Sequence, residues 1–173
     1  MNPYLINEPA VISFSGGRSS AYMLYKILEA HDFNLPSNIE VIFANTGKEM
    51  PQTLDFIRDI SVNWEVSITW LEYTGKKQFV EVDYDTASRN GEPFAQLIVD
   101  KKYLPNMMAR FCTSELKVLT IERYMGGNDF LTVVGIRGDE PRRASKMRSK
   151  DNYAVPMADD GVTERDVRKF WDG

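Results

Sequence analysis

The segment VISFSGGRSSAYMLYKILEA, residues 11–30, constrains the fold more than any other part of the sequence. Val11, Ile12 and Phe14 are β-branched or aromatic, and they predict a short buried strand. After two adjacent glycines, apolar residues recur at helical spacing, at Ala21, Leu24, Ile27 and Leu28. A strand that runs through a tight turn into a helix is the opening of a βαβ unit, so the sequence predicts an α/β protein.

The turn itself carries residues that suit an anion. Gly16 and Gly17 permit positive φ and have no Cβ to block an approaching group, and Ser19 and Ser20 are expected to cap free amides at the helix start. A helix N-terminus combines free N–H groups with the positive end of the helix dipole, which favours phosphate. The alternative is a glycine turn that only connects a strand to a helix.

Composition narrows the classes of protein that are compatible with this junction. The 173 residues, 43% hydrophobic and 27% charged, predict one globular domain over residues 1–173. A net charge of -4 argues against general nucleic-acid or membrane binding. The sequence contains neither an apolar run of ~18 residues nor a signal-peptide pattern. With a single cysteine, no disulfide or cysteine-rich metal site is expected, and the predicted location is cytoplasmic.

Strand and helix patterns alternate along the rest of the chain. Strands are predicted at 39–47, 66–73 and 129–136, and helices at 50–64, 93–104, 113–125 and 163–171. The helix over 113–125 is predicted to end at Gly126 and Gly127. The helix over 163–171 is predicted to open with a capping box formed by Thr163 and Asp166. Residues 74–94 are predicted to form a long irregular loop. This alternation predicts a Rossmann-like, doubly wound parallel sheet with helices on both faces.

Ligands of such sheets bind beyond the carboxyl ends of the strands, so the residues that follow each strand are candidate site residues. These are 15–20, 45–49, 73–77 and 137–143, whose hydroxyls, amides and cations suit a polyanion with a polar base and sugar. Asn45, Thr46 and Gly47 are predicted to face adenine or ribose. In the alternative interpretation Asn45 makes a turn, and Thr46 or Thr53 caps a helix.

The segment GIRGDEPRRASKMRSK, residues 135–150, has the densest group of cations. Arg137, Arg142 and Arg143 are predicted to bind phosphate or sulfate oxygens in a bidentate manner. Asp139 and Glu140 either order those arginines or hold Mg²⁺. The remaining cations, Lys146, Arg148 and Lys150, are predicted to lie on a solvated loop. Two further residues are given structural roles: Cys112 as a buried small hydrophobe and His31 as a helix-end residue.

These motifs resemble those of a known family. SFSGGRSS resembles the pyrophosphate-binding loop S-G-G-x-[DST]-S of the ATP pyrophosphatases, with Ser19 where many members carry Asp. The segments VIFANTGKEMPQT, RFCTSELKVLTIERYM and VVGIRGDEPRRASKM resemble segments of the phosphoadenosine phosphosulfate reductase family, and MADDGVTERDVRKFW is similar to a later one. The first four motifs span most of residues 11–148 and occur in the family's order. The resemblance implies that the chain is a short phage-type member of the family or lacks a C-terminal segment.

The resemblance implies a set of site residues. The nucleotide-binding residues would be Ser13, Ser15, Gly16, Gly17, Arg18, Ser19, Ser20, Asn45, Thr46, Gly47, Gly135 and Ile136. The catalytic residues would be Lys117, Arg137, Arg142 and Arg143, with the lysine approaching phosphate or sulfate. Asp139 and Glu140 remain candidates for a metal site.

The resemblance leaves the reaction open between sulfonucleotide reduction and cleavage of ATP between its α- and β-phosphates. The substrate would be ATP, with Mg²⁺, or an adenylyl sulfate. The sequence lacks the paired cysteines of the family's reductases, so no iron–sulfur cluster is expected. It also lacks their E-C-G-L-H type motif, so a thiol donor or sulfur-transfer protein would have to assist reduction. An oligomer is possible. The alternative is a catalytically inactive nucleotide-sensing or interaction subunit.

Overall fold

The computed structural model describes residues 1–102, 104, 113–127 and 129–173. The strands are β1 (Ala10–Ser13), β2 (Ile39–Asn45), β3 (Thr69–Gly75), β4 (Gln78–Val82), β5 (Leu131–Val134) and β6 (Tyr153–Ala154). The α-helices are α1 (Arg18–Ala30), α2 (Pro51–Asn63), α3 (Glu92–Lys101), α4 (Leu119–Met125), α5 (Pro141–Arg148), α6 (Pro156–Asp159) and α7 (Glu164–Asp172), and a π-helix spans Ser114–Val118.

The strands form one six-stranded sheet in the order β4-β3-β2-β1-β5-β6. Strand β1 pairs with β5, β2 with β3 and β5 with β6 in parallel, whereas β4 runs antiparallel to β3. A mostly parallel sheet with alternating helices is a Rossmann-like α/β fold, which confirms the predicted fold class. Every helix within these described ranges is too short or too polar to span a lipid bilayer.

Residues Met1–Val41 and Asp129–Gly173 form one compact unit, called here the first unit. Its strand β1 is buried at Ala10, Val11 and Ile12, and α1 buries the face that the apolar periodicity predicted. Helix α7 packs on α1 through Phe170, and the centroid of its ring lies 5.2 Å from the ring centroid of Tyr22. His31 ends α1 as predicted, and its Nε2 accepts the N–H of Ile6 at 3.2 Å.

Residues Ile42–Asn128 form the second unit. The prediction of an irregular loop over residues 74–94 is wrong for residues 78–82, which form β4 and close a hairpin with β3, and for residues 92–94, which open α3. Residues 83–91 contain neither helix nor strand. The two residues of the turn, Lys76 and Lys77, have φ of +49° and +61°. Such turns favour Asn-Gly and Asp-Gly, so a Lys-Lys pair gives no hairpin signal in the sequence. The third strand also begins three residues later than predicted, at Thr69.

The predicted helix over 113–125 contains the π-helix Ser114–Val118 before it continues as α4. The Thr120 hydroxyl donates to the Glu115 carbonyl oxygen at 2.8 Å, a bond across the change from π- to α-helix. Gly126, with φ of +74°, ends the helix as predicted. Residues 105–112 lie outside the described residues, and with them the prediction for Cys112. The prediction of a single domain over 1–173 stays a prediction.

The solvated basic loop predicted for Lys146 and Arg148 is instead helix α5, which begins at Pro141. Its sequence, PRRASKMR, buries only Ala144 and therefore shows no apolar periodicity. The predicted exposure of Lys146, Arg148 and Lys150 is confirmed, and Lys150 lies just beyond the helix. Helix α7 begins after Thr163, whose N–H donates to the Asp166 carboxylate at 2.8 Å, so the predicted capping box is confirmed.

Candidate functional site

Residues 15–20, the glycine loop, connect β1 to α1 in the first unit. The Ser20 hydroxyl donates to the Gly17 carbonyl oxygen at 2.9 Å and accepts the Ser15 N–H at 3.2 Å. The two serine hydroxyl oxygens are 2.9 Å apart. The prediction that Ser20 caps a helix amide is therefore wrong, because its hydroxyl closes the loop. Gly17 is the N-cap residue and has no side chain, so the N–H groups of the first turn of α1 have no side-chain cap from it.

The backbone of the loop explains its two glycines. Gly16 has φ of +76°, a conformation that side-chain-bearing residues rarely adopt. Gly17 has an extended backbone with φ of -95°, and an added Cβ would meet only the Ser15 hydroxyl, at 3.6 Å. Gly16 is thus required by the turn, whereas Gly17 leaves open backbone on an exposed surface.

Gly135, which follows β5, lets the glycine loop lie close to that strand. A Cβ at this position would be 3.1 Å from Ser20 Cα and 3.4 Å from Ser20 N. We expect Gly135→Ala to lower the free energy of unfolding by about 1–3 kcal/mol, because backbone atoms must move to admit the methyl group. Thermal unfolding measures the loss. An unchanged melting temperature would contradict the close packing of Gly135 on Ser20.

Arg137 lies two residues beyond Gly135 and faces the glycine loop. Its Nη1 donates to the Ser19 hydroxyl at 3.4 Å, and its Nε donates to Asp139 Oδ1 at 2.8 Å. Its own N–H donates to Glu140 Oε2 at 3.2 Å. Burial acts to lower the pKa of Arg137, but the bond to Asp139 and the nearby Glu140 raise it overall, so the guanidinium stays charged. The loop therefore has a fixed cation beside the positive end of α1.

Asp139 and Glu140 order this arginine. Asp139 Oδ2 accepts the Glu164 N–H at 2.9 Å, and this bond, with that from Arg137, lowers the pKa of Asp139. Glu140 also pairs with Arg143. Both carboxylates already bind protein donors, and no cluster of three His, Cys, Asp or Glu suited to a metal occurs among the described residues. This arrangement does not fit a magnesium site built by the protein, and Mg²⁺ stays a prediction.

A groove of about 470 Å³ opens beside Ser19 and Arg137. We call it the arginine groove; it is lined by Arg18, Ser19, Arg137, Glu164, Val167, Arg168 and Asp172. Its volume is within the range of small-molecule sites. Sequence reasoning missed Glu164 and Arg168, because helix α7 was interpreted only through its cap.

The comparison with known proteins decides the family. The sequence profile of the phosphoadenosine phosphosulfate reductase domain matches residues 9–154. The chain belongs to the phosphoadenosine phosphosulfate reductase domain family. This confirms the resemblance carried by the four motifs, and it supports a general role in nucleotide binding.

Two curated proteins are similar to this member of the phosphoadenosine phosphosulfate reductase domain family. An uncharacterized nin region protein of Escherichia phage lambda is 29% identical over 175 residues, which cover 93% of this chain and 58% of the phage protein. An uncharacterized protein of Methanocaldococcus jannaschii is 29% identical over 155 residues, which cover 87% of this chain and 27% of that protein. The chain thus spans little more than half of the first relative, and the phage match agrees with the predicted phage-type membership.

The remaining first-unit residues predicted for this phosphoadenosine phosphosulfate reductase domain surround the loop less directly. Ser13 ends β1 opposite Val134 of β5, and Ile136 is buried just beyond that strand. Arg142 and Arg143 lie on the first turn of α5 and are exposed. Of the three predicted arginines, only Arg137 has a hydrogen bond to the glycine loop among the described contacts.

The predicted residues at the end of β2 belong to the second unit. The buried Asn45 side chain donates to Glu72 Oε1 at 2.7 Å and to the Ser88 carbonyl oxygen at 2.9 Å, and it accepts the Gly47 N–H at 3.1 Å. Thr46 donates its hydroxyl to the Glu49 carboxylate. This geometry matches the Asn45 turn of the alternative interpretation, but the cap predicted from Thr46 or Thr53 is wrong, because Met50 is the N-cap residue of α2. Contact of residues 45–47 with a nucleotide stays a prediction.

Glu72 was not predicted as part of this network, although a carboxylate in the apolar strand TWLEYTG was a signal. It is 5% exposed and accepts both the N–H and the hydroxyl of Ser88, at 2.6 and 2.7 Å. Lys117 lies half-buried on the π-helix. On the same π-helix, the Glu115 carboxylate pairs with Lys101 at 2.7 Å and with Arg123 at 3.3 Å. The catalytic role of Lys117 stays a prediction.

Proposed function

We propose that this domain binds the phosphates of ATP at the glycine loop and catalyses adenylyl transfer by cleaving the bond between the α- and β-phosphates. The observation that carries the proposal is the Arg137 guanidinium, 3.4 Å from the Ser19 hydroxyl and beside the first turn of α1. Backbone N–H groups at a helix start and a preordered guanidinium are complementary to phosphate oxygens. Membership of the family supports nucleotide binding by this domain, without choosing the reaction.

The proposed reaction needs no nucleophile from the protein. An acceptor oxygen attacks the α-phosphorus and forms a new P–O bond, while the bond to the α–β bridging oxygen breaks and its electron pair leaves with pyrophosphate. The loop N–H groups and Arg137 would hold the β- and γ-phosphates and stabilise the charge that develops on the leaving group. Catalysis of this kind depends on positioning and electrostatics. No step of it depends on a metal held by Asp139 or Glu140.

Sulfonucleotide reduction is the second candidate, and the description of the matching domain favours it. A thiol sulfur would attack the sulfur of a bound adenylyl sulfate, forming a sulfur–sulfur bond as the nucleotide phosphate leaves. A second thiol would then release sulfite and leave a disulfide, so the thiols would be oxidised and the sulfur reduced. A separate thiol donor protein would supply them.

The test is calorimetric titration with ATP, AMP, adenosine phosphosulfate and its 3′-phosphorylated form, followed by an assay of pyrophosphate release from ATP. ATP is expected to bind more tightly than AMP, because AMP lacks the β- and γ-phosphates, and pyrophosphate is expected to accumulate. A preference for either sulfonucleotide would favour the reductase instead. ATP binding without release of pyrophosphate, with candidate acceptors present, would favour the nucleotide-sensing subunit. Binding of none of the four would reject the site.

A further inference from the structure

Glu164, in the first turn of α7, lies between two arginines of the arginine groove. Its Oε2 is 4.0 Å from Arg137 Nη2, and its Oε1 pairs with Arg168 Nη2 one turn along the helix. The side chains of Glu164 and Arg168 are 51% and 70% exposed. An exposed ion pair of this kind contributes little to stability. A stronger anion can therefore displace the Glu164 carboxylate from both guanidiniums.

Helix α7, which carries Arg168, is bound to residues of the glycine loop and to its neighbours within the first unit. The Glu164 N–H is bound to Asp139, and Trp171 Nε1 donates to the Arg18 carbonyl oxygen at 3.2 Å. Phe170 packs on the ring of Tyr25, with ring centroids 5.0 Å apart. Contacts at both ends of α7 thus fix where Arg168 lies relative to Ser19.

The charges that line the arginine groove favour an anion. Three guanidiniums, of Arg18, Arg137 and Arg168, face two carboxylates, of Glu164 and Asp172. Arg137 is the most enclosed of the three, with a side chain only 22% exposed. Arg137 is also paired with Asp139 and Glu140, so the gain in positive potential when a ligand moves Glu164 aside is largest at Arg168.

We propose that the arginine groove is a second anion subsite that takes the third phosphate of a linear triphosphate, the one beyond the two that the glycine loop and Arg137 hold, with Arg168 as its contact residue and Glu164 as the internal carboxylate that the phosphate replaces. This inference rests on the proposed function, and it selects ATP over adenylyl sulfate. A diphosphate-sized anion fills the glycine loop and Arg137, whereas a third phosphate extends into the groove. Arg168 thus determines specificity for the length of the phosphate chain.

The experiment compares inorganic pyrophosphate and tripolyphosphate by calorimetry on the full chain. The wild-type protein is expected to bind tripolyphosphate more tightly. Arg168→Gln should reduce the ratio of the two affinities by about fivefold, because it removes the contact to the third phosphate. Glu164→Gln should raise tripolyphosphate affinity by about twofold to threefold, since the internal competitor is lost while its N–H still binds Asp139.

Arg165→Gln is the matched control, because it removes the same charge from the same helix at an exposed position that does not line the arginine groove. It should leave the ratio unchanged. An Arg168→Gln protein that keeps the wild-type ratio, an equal effect of Arg165→Gln, or a lower tripolyphosphate affinity in Glu164→Gln would each overturn the subsite. If wild-type protein bound neither anion, the proposed function itself would fail. Circular dichroism establishes that each variant is folded.

Discussion

Replacing Gly17 by valine is expected to weaken ATP binding by at least about tenfold while the fold survives. The backbone at Gly17 has φ of -95°, which valine adopts without strain, and the nearest atom to an added Cβ is the Ser15 hydroxyl at 3.6 Å. The protein therefore accepts the side chain, but a phosphate approaching the first-turn N–H groups of α1 would meet its two methyl groups. Calorimetric titration with ATP measures the loss.

Side chains of increasing size at position 17 test whether the loss of ATP affinity comes from the volume of the added side chain. Gly17→Ala adds only the Cβ and should have an intermediate effect on affinity. Both variants should stay folded with a small loss of melting temperature, because alanine and valine are poorer N-cap residues than glycine. If folded Gly17→Val bound ATP with unchanged affinity, phosphate would not approach the backbone of the glycine loop, and the proposed site would be wrong.

The second large effect is expected from Arg137→Lys, which should lower ATP affinity by about tenfold to a hundredfold although the formal charge is kept. The guanidinium donates from Nε to Asp139 and from Nη1 to Ser19 at the same time, and its Nη2 lies 4.0 Å from Glu164 Oε2, so the planar group is held in one orientation beside the glycine loop. An ammonium group has no planar fork and cannot reproduce that orientation. Titrations at low and physiological salt measure the loss, which should persist at the higher salt because Arg137 is mostly enclosed.

Arg165→Lys is the matched control for this substitution, because Arg165 is exposed on α7 and does not line the arginine groove. It should change ATP affinity by no more than about twofold. Equal losses in Arg165→Lys and Arg137→Lys would indicate a diffuse basic surface for an acidic partner, and the interaction-subunit alternative would then lead.

Elements with apolar periodicity were predictable from the sequence, and elements held by other means were not. Helix α1 buries Leu24 and Ile27 as their spacing indicated. Helix α5 lacks such a stripe because it buries only Ala144. Strand β4 was missed because its turn uses Lys76 and Lys77 at positive φ, where sequence rules look for glycine or asparagine.

At the candidate site, the sequence predicted that Arg137 lies near the glycine loop, but it did not predict which residues form its hydrogen bonds. Arg137 and Asp139 were both named as candidates, but two neighbouring residues do not reveal whether a carboxylate binds an arginine or a metal. Asp139 Oδ1 accepts from Arg137 Nε and Oδ2 accepts from the Glu164 N–H, which lies 25 positions away, so both oxygens have protein donors while Mg²⁺ stays a prediction. The network of Asn45, Glu72 and Ser88 is equally non-local, so no single motif contains it.

The hydroxyl of Ser20 closes the glycine loop from within, by its bonds to Ser15 and Gly17. The loop therefore keeps its shape before any ligand arrives. Little binding free energy is then lost to ordering the backbone, because that entropy was already lost when the chain folded. Association should accordingly proceed at the rate of diffusional encounter, with no slower step in which the loop rearranges.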